Sequence, residues 1–231
     1  MVTAVGVGVD PALLDSQVVT TTGGSGGHAE RVAVDAAGLI PVPAALELAQ
    51  AVALLADGRT AMALVRAVAP QPGETVLVEA AAGGVGSLLV QLARNAAARV
   101  VAAAGGTRKL ALAAELGASV TVDYTQPGWP DQVRAQLGRG VDVVFDGVAG
   151  QIGRAAFDLL GAGGRYCGYG MASGRFVELP DGEAARRDVT VLGWAPLTSA
   201  QMLELTKAAL GEAAAGRLRP VIGQTFPLGG P

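Results

Sequence analysis

Short apolar runs alternate with amphipathic stretches of about ten residues over much of the chain. The apolar runs predict strands, and the stretches between them have the spacing of helices. Strands that alternate with helices form βαβ units with right-handed crossovers, so a parallel sheet covered on both faces is expected. The pattern therefore predicts a doubly wound α/β domain, with strands over 75–79, 99–104, 119–123, 141–145, 164–169 and 189–193, and helices over 84–97, 108–116, 130–137, 152–160 and 200–215.

The first part of the chain has a different pattern. Its apolar runs are short and are separated by turn sequences such as TTGGSGG and DAAG, which predict four extended segments over 2–9, 17–20, 29–34 and 39–42. Helical spacing then begins and continues over 44–68, and a break is predicted at Asp57 and Gly58.

Composition narrows the classes of function. The 231 residues suffice for one large domain or one and a half ordinary ones, and the charged share of 16% is low. The net charge is −3 and the 17 basic residues form no run, so nucleic-acid binding is not expected. Cys167 and His28 are the single cysteine and histidine, too few for a disulfide or a zinc site built on N and S donors.

The location expected from these features is the cytoplasm. The N-terminus carries no basic region typical of a signal peptide, and the most apolar stretch, AALELAQAVALLA, is interrupted by Glu47 and Gln50. We therefore expect no membrane span and no structural metal.

A glycine fingerprint follows the first strand of the alternation. Ala80, Gly83 and Gly86 have the spacing G-x-x-G-x-x-G with alanine first, between the strand TVLVE and the helix VGSLLVQLARN. The middle glycine lets the backbone approach a pyrophosphate, and the helix N-terminus offers unpaired N–H groups to the phosphates. A tight turn without a ligand, or the glycine loop of a methyltransferase, would give a similar pattern.

The end of the second predicted strand distinguishes among these possibilities. An NAD-binding fold places an Asp or Glu about 20 residues after the fingerprint, to hold the ribose 2′-hydroxyl. Here that position holds Gly105 and Gly106, followed by Thr107 as the predicted N-cap and by Arg108 and Lys109 in the first helical turn. Cations there oppose the helix dipole unless an anion lies beside them. A 2′-phosphate is the predicted anion, and ordinary solvated surface charges are the alternative.

The sequence resembles the zinc-independent quinone oxidoreductase branch of the medium-chain dehydrogenase/reductase superfamily. The segments that carry the resemblance include SGGHAERVAV, PGETVLVEAAAGGVGSLLVQLAR, RKLALAAELGASVTVDY, GRGVDVVFDGVAG and GAGGRYCGYG, in family order. It implies a Rossmann-type NADPH-binding domain over residues 44–231 and, over 1–43, a remnant of a β-rich, GroES-like substrate domain. It also implies NADPH-dependent reduction of a quinone or an α,β-unsaturated carbonyl. The strand over 189–193 is the last of the alternation and carries apolar Val189, Val191 and Leu192, so we expect it to pair with its twofold mate in a homodimer; the resemblance also indicates a dimer.

The resemblance and the glycine pattern together assign residues to three parts of the cofactor site. Four residues would line the pyrophosphate: Gly83, Gly84, Val85 and Gly86. Four would surround the 2′-phosphate: Gly105, Arg108, Lys109 and Tyr124. The alternative for Tyr124 is a structural role as a half-buried aromatic residue at a strand end. Six would border the nicotinamide: Thr60, Gly147, Val148, Gly168, Tyr169 and Gly170.

The catalytic chemistry is less defined by the sequence. Relative to the family, most of the substrate domain and the final helix and strand are expected to be missing, so no substrate-facing or catalytic residue is assigned. Tyr166, Tyr169 and His28 are candidate proton donors, and solvent is the alternative source; Cys167 has the sequence context of a small buried hydrophobic residue. A second hypothesis, from another class, is an NADPH-binding module without turnover.

Overall fold

The apolar runs form strands, and the stretches between them form helices, in a computed structural model that describes residues 1–193 and 196–229. The strands are β1 (Val18–Val19), β2 (Ile40–Pro41), β3 (Thr75–Glu79), β4 (Arg99–Ala104), β5 (Val120–Asp123), β6 (Val141–Asp146), β7 (Leu160–Gly168) and β8 (Thr190–Leu192). The α-helices are α1 (Leu48–Val68), α2 (Gly84–Asn95), α3 (Thr107–Glu115), α4 (Trp129–Leu137), α5 (Gly150–Phe157), α6 (Glu183–Arg186) and α7 (Ser199–Ala214).

Six strands form one parallel sheet in the order β5-β4-β3-β6-β7-β8. The first of these strands along the chain, β3, lies in the middle of the sheet. The next two, β4 and β5, are added on one side of it, and β6, β7 and β8 are added on the other. This is the strand order of a Rossmann fold, whose switch point lies between β3 and β6. The predicted doubly wound α/β fold is therefore confirmed.

The central strands are buried because helices cover both faces of a parallel sheet. All five residues of β3 are buried, and so are the last five of β4. On one face, Leu77, Val144 and Phe157 belong to a core cluster that also includes Trp129 and Tyr166. The carboxyl ends of the strands are thereby fixed along one edge of the sheet.

Helix α1 corrects one prediction. It runs without interruption from Leu48 to Val68, so the predicted break at Asp57 and Gly58 is wrong. A Cβ on Gly58 would lie 2.9 Å from the Cβ of Ala209 in α7 and 3.0 Å from a methyl carbon of Leu54. Gly58 thus permits close helix packing instead of ending the helix.

The N-terminal predictions are correct only in part. Two of the four extended segments contain strands, and these pair as a small antiparallel ladder, β1 with β2. Residues 2–9 and 29–34 form no strand; a turn lies at Gly8, where φ is +82°, and the backbone bends over residues 28–30. Asp10 and Asp35 cap short 3₁₀ turns at Pro11–Leu13 and Ala36–Gly38 by accepting hydrogen bonds from the backbone.

The boundary between α5 and β7 is also corrected. The predicted helix over 152–160 is observed over 150–157, and β7 begins at Leu160 instead of residue 164. Leu160 pairs with Val141 across an irregular register, so the LGAGG sequence joins the sheet although its glycines weaken the strand pattern.

The chain divides into two compact units, Met1–Arg59 with Leu197–Pro231, and Thr60–Pro196. The second unit contains the whole parallel sheet. The predicted boundary at residue 43 separates a remnant of the family's substrate domain from the cofactor-binding domain. It remains a prediction.

Helix α1 is long and apolar enough to cross a membrane by length and composition alone. The core helix of a soluble protein meets the same criterion. Ala51, Leu54, Ala61 and Leu64 of this helix are at most 2% exposed. The expected absence of a membrane span remains a prediction.

Replacing Phe157 by alanine should lower the free energy of unfolding by about 3–5 kcal/mol, because the side chain is completely buried. Its ring packs edge-on against Tyr166 at 5.6 Å, and the guanidinium of Arg187 lies 4.9 Å from its centroid. Phe157→Leu keeps most of the volume and should cost clearly less. Urea unfolding of both variants measures the difference, and equal losses would contradict this packing role.

Candidate functional site

The turn after β3 forms a cradle of backbone N–H groups. Ala80 has φ +47°, its carbonyl oxygen accepts a hydrogen bond from the Gly83 N–H at 2.8 Å, and a Cβ on Gly86 would overlap that carbonyl. Helix α2 starts after Gly83, whose N-cap position has no side-chain hydrogen bond. The first N–H groups of α2, from Gly84 onward, are therefore available to an anion.

A second helix, α3, also starts without a side-chain cap, just after the end of β4. The N-cap of α3 is Gly106, with φ +86°, so the predicted N-cap at Thr107 is displaced by one residue. A glycine reaches this left-handed conformation without strain, whereas threonine would not. Arg108 and Lys109 are exposed in the first turn, and neither forms an ion pair within the described ranges 1–193 and 196–229.

An acid missed by the sequence analysis lies beside this helix start. Asp123, at the end of β5, accepts hydrogen bonds from the Gly106 N–H at 3.1 Å and from the Thr125 N–H and hydroxyl at 2.9 and 2.6 Å. The bonds from Thr125 are the main cause that lowers its pKa. The spacing Asp-x-Thr is typical of such a turn and was the available signal.

Tyr124 follows Asp123 and packs on the end of β4. A Cβ on Gly105 would lie 3.5 Å from its ring and 3.0 Å from a methyl carbon of Thr125. Burial, and then the nearby Glu79, raise the pKa of the Tyr124 hydroxyl. The structure thus places Tyr124 and Gly105 together.

The third part of the site is the turn after β6. Asp146 is completely buried, and its Oδ1 accepts hydrogen bonds from the N–H groups of Val148 at 2.8 Å and Ala149 at 2.7 Å. Its Oδ2 accepts the hydroxyl of Tyr166. One carboxylate therefore holds the turn through Gly147 and ties it to β7.

Tyr169 links the ends of three strands. Its N–H donates to the carbonyl of Asp146 at 2.8 Å, and its hydroxyl donates to the carbonyl of Glu79 at 3.1 Å. The hydroxyl lies over Gly147, where a Cβ would be 2.6 Å away, and a Cβ on Gly170 would lie 2.5 Å from the Gly147 carbonyl oxygen. Glycine at these positions lets the tyrosine cross the switch point between β3 and β6.

Glu79 is a second acid that the sequence analysis missed. It is completely buried at the end of β3, and within the described part of the chain neither carboxyl oxygen has a hydrogen-bond partner. Burial is the main cause that raises its pKa well above the ordinary value, and the neighbouring Asp146 adds to the effect. Both effects favour the protonated form of this carboxyl group.

An apolar pocket of about 430 Å³ adjoins the turns after β6 and β7. Its walls include Gly168, Tyr169, Met171, Phe176, Leu179 and Val191. The volume is that of a small-molecule site.

Three other candidates are less well connected. Thr60 lies half-buried within α1, and its place near the nicotinamide remains a prediction. His28 is exposed in a loop. Cys167 is buried, which raises the pKa of its thiol to about 11 and makes it a poor nucleophile at neutral pH.

The predicted site residues other than Thr60 lie at the carboxyl ends of the parallel strands or in the turns that follow them. This is the edge at which open α/β sheets bind ligands. The residues fall into three neighbouring groups: Gly83, Gly84, Val85 and Gly86 after β3; Gly105, Arg108, Lys109 and Tyr124 after β4 and β5; Gly147, Val148, Gly168, Tyr169 and Gly170 after β6 and β7.

Comparison with known proteins agrees with this architecture. The family model of the zinc-binding dehydrogenases matches residues 84–209. Quinone oxidoreductase-like protein 2 of Bos taurus is 34% identical over 89% of the chain, and the match spans 61% of that relative's length. A 2-haloacrylate reductase of a Burkholderia species is 30% identical, over 99% of this chain and 72% of its own.

Solved structures give the same relationship. The quinone oxidoreductase of Escherichia coli, complexed with NADPH, has a TM-score of 0.82 and 25% identity, over 94% of this chain and 68% of that chain. The quinone oxidoreductase of Thermus thermophilus, also solved with NADPH, has a TM-score of 0.76 and 33% identity, over 92% and 69%. The chain belongs to the zinc-binding dehydrogenase family, in the quinone oxidoreductase branch of the medium-chain dehydrogenase/reductase superfamily.

Proposed function

We propose that the protein is an NADPH-dependent oxidoreductase that reduces a quinone or an α,β-unsaturated carbonyl by direct hydride transfer. The observation that carries the proposal is the pair of helix starts without side-chain caps at neighbouring strand ends, one with the exposed cations Arg108 and Lys109. The solved relatives complexed with NADPH support it.

The residues present fit NADPH. The N–H groups at the start of α2 suit the pyrophosphate, and Lys109, with Arg108 and Tyr124, suits the 2′-phosphate. Gly105 and Gly106 place no carboxylate on β4 itself. Asp123 opposes the fit, but its carboxylate is engaged by Gly106 and Thr125 and is partly exposed, so its repulsion is screened by water and salt.

When bound, the nicotinamide would supply a hydride, which is a hydrogen with its electron pair, to the acceptor. The chain's own contribution is orientation and exclusion of water by the turn through Gly147 and by Tyr169. The hydroxyls of Tyr166 and Tyr169 already donate to Asp146 and to the Glu79 carbonyl. We therefore assign the proton that completes the reduction to solvent, and no side chain to catalysis.

The acceptor proposed for the apolar pocket is uncharged. Among the described residues that line the pocket, Asp146 is the one carboxylic acid and no lysine, arginine or histidine contributes. A carboxylate acceptor would lack a counter-charge there, whereas a neutral quinone or enone can bury its ring against Met171 and Phe176.

The activity is tested by adding NADPH and menadione in the presence of a zinc chelator, and following the loss of NADPH absorbance. We expect oxidation of NADPH, and unchanged rates with chelator, because the proposal includes no zinc. A parallel binding titration identifies the alternative: NADPH binding without oxidation would show a module without turnover, and no binding would contradict both hypotheses.

Replacing Lys109 by alanine should weaken NADPH binding by about tenfold to a hundredfold, because a charge-assisted hydrogen bond contributes roughly 1.5–3 kcal/mol. NADH lacks the 2′-phosphate, so its dissociation constant should hardly change. Fluorescence titration of both cofactors measures the two effects.

The matched control for this substitution is Lys207→Ala, which removes an exposed lysine from α7. It should leave both dissociation constants unchanged. A parent protein that prefers NADH, or a Lys109 variant that loses both cofactors equally, would contradict the assignment of the 2′-phosphate.

We also propose that the protein is a homodimer paired through β8. This strand is at the edge of the sheet, and Val191 is 46% exposed. Pairing with its twofold mate would satisfy the free edge. Light scattering at micromolar concentration should give a dimer, and Val191→Lys should give a monomer. Val32→Lys, at an equally exposed position, is the control; a monomeric parent would contradict the proposal.

A further inference from the structure

Glu79 is an unusual feature of this sheet. A completely buried side chain whose carboxyl oxygens lack hydrogen-bond partners in the described part of the chain is costly, and it calls for an explanation. The parallel register pairs Val78 with Phe145, so the next residues of the two strands, Glu79 and Asp146, lie side by side. Two acids thus meet at the switch point.

Asp146 is in the opposite situation. Its two oxygens accept three hydrogen bonds, from the Val148 and Ala149 N–H groups and from the Tyr166 hydroxyl. Such donors favour the charged form of a carboxyl group. Asp146 is therefore the acid of the pair whose oxygens are occupied by donors.

Two neighbouring carboxyl groups in a buried environment do not both ionise readily, because their like charges repel without screening by water. Burial first, and then the adjacent Asp146, raise the pKa of Glu79, so a proton on Glu79 is favoured. The backbone N–H of Val148 offsets only part of the cost of burying a charge on Glu79, so the neutral form remains favoured.

We propose that Glu79 is a positioning residue, and that its neutral form keeps Asp146 in place to hold the cofactor-facing turn Gly147–Val148–Ala149. This role rests on the proposed function, because that turn is assigned to the nicotinamide end of NADPH. Glu79 acts through Asp146 and touches no reacting atom.

The titratable groups that face Glu79 come from three strands or the residues directly after them, and all are acidic. They are Asp146 in β6, Tyr166 in β7, Tyr169 directly after β7 and Tyr124 directly after β5. Loss of the Glu79 proton would place a second negative charge beside Asp146, with no cation among these groups to compensate. The repulsion would displace the Asp146 carboxylate from its donors and loosen the turn.

The first experiment uses stability and needs no cofactor. Because the pKa of Glu79 is raised in the folded state, the folded protein retains a proton that the unfolded chain loses above its ordinary pKa. This contribution to stability is complete at low pH and is lost as pH rises through the folded-state pKa. Glu79→Gln removes the titration, so the melting temperature of the variant relative to the parent should increase with pH.

The second experiment measures the dissociation constant of NADPH from mildly acidic to alkaline pH. For the parent it should rise by about tenfold per pH unit once Glu79 ionises, because binding then requires a proton. Glu79→Gln, whose amide can donate to Asp146 at every pH, should bind as tightly as the protonated parent and lose this dependence. Glu79→Met, also uncharged, should lose the dependence but bind more weakly, and it serves if the glutamine variant does not fold.

Glu74→Gln is the matched control, since Glu74 directly precedes the opposite end of β3 and pairs with Arg165 there. It should keep the parent's pH profile for NADPH. Binding with the same pH profile in the parent and in Glu79→Gln would overturn the positioning role while leaving the proposed function intact. Absence of NADPH binding at every pH would overturn the proposed function, and the positioning role with it.

Discussion

The parallel pairing of β3 with β6 is the interaction on which the site depends. It brings together the start of the sheet and the strand to which the chain returns, so the ends of both strands open into one crevice. The fingerprint turn follows one strand, and the turn held by Asp146 follows the other. Any shift of this register would separate the phosphate-binding cradle from the turns after β6 and β7.

Small residues at the carboxyl ends of these strands permit the close contacts that form the site. Gly86 lets α2 pack on the carbonyl of Ala80, and Gly147 and Gly170 let Tyr169 lie across the strand ends and reach the Glu79 carbonyl. Each of these approaches would be blocked by a Cβ. The high glycine content of the chain therefore has a local purpose here: it lets backbone and one aromatic ring occupy space at the switch point.

The sequence predicted those features that depend on local pattern. The strands from β3 to β6 were placed within one residue because their apolar runs are bounded by clear turns, and the start of α2 followed from glycine spacing. The start of α3 was predicted with Thr107 as its N-cap, whereas the N-cap is Gly106. The break at Gly58 was wrong because a glycine that permits packing looks the same in sequence as one that ends a helix. The carboxyl groups of Asp123 and Glu79 were missed because their roles depend on which strands are neighbours.

Glu79 shows how a functional feature can depend on which strands are neighbours. In the sequence it is simply the last residue of an apolar strand, where a solvated acid at a strand end would be ordinary. Only the neighbouring strand brings Asp146 beside it, and three donors are gathered on the oxygens of Asp146. The cost of burying Glu79 is reduced by its neutrality, and this neutrality lets Asp146 retain its three donors. The same pair thus couples the protonation of a buried acid to the shape of the cofactor-facing turn.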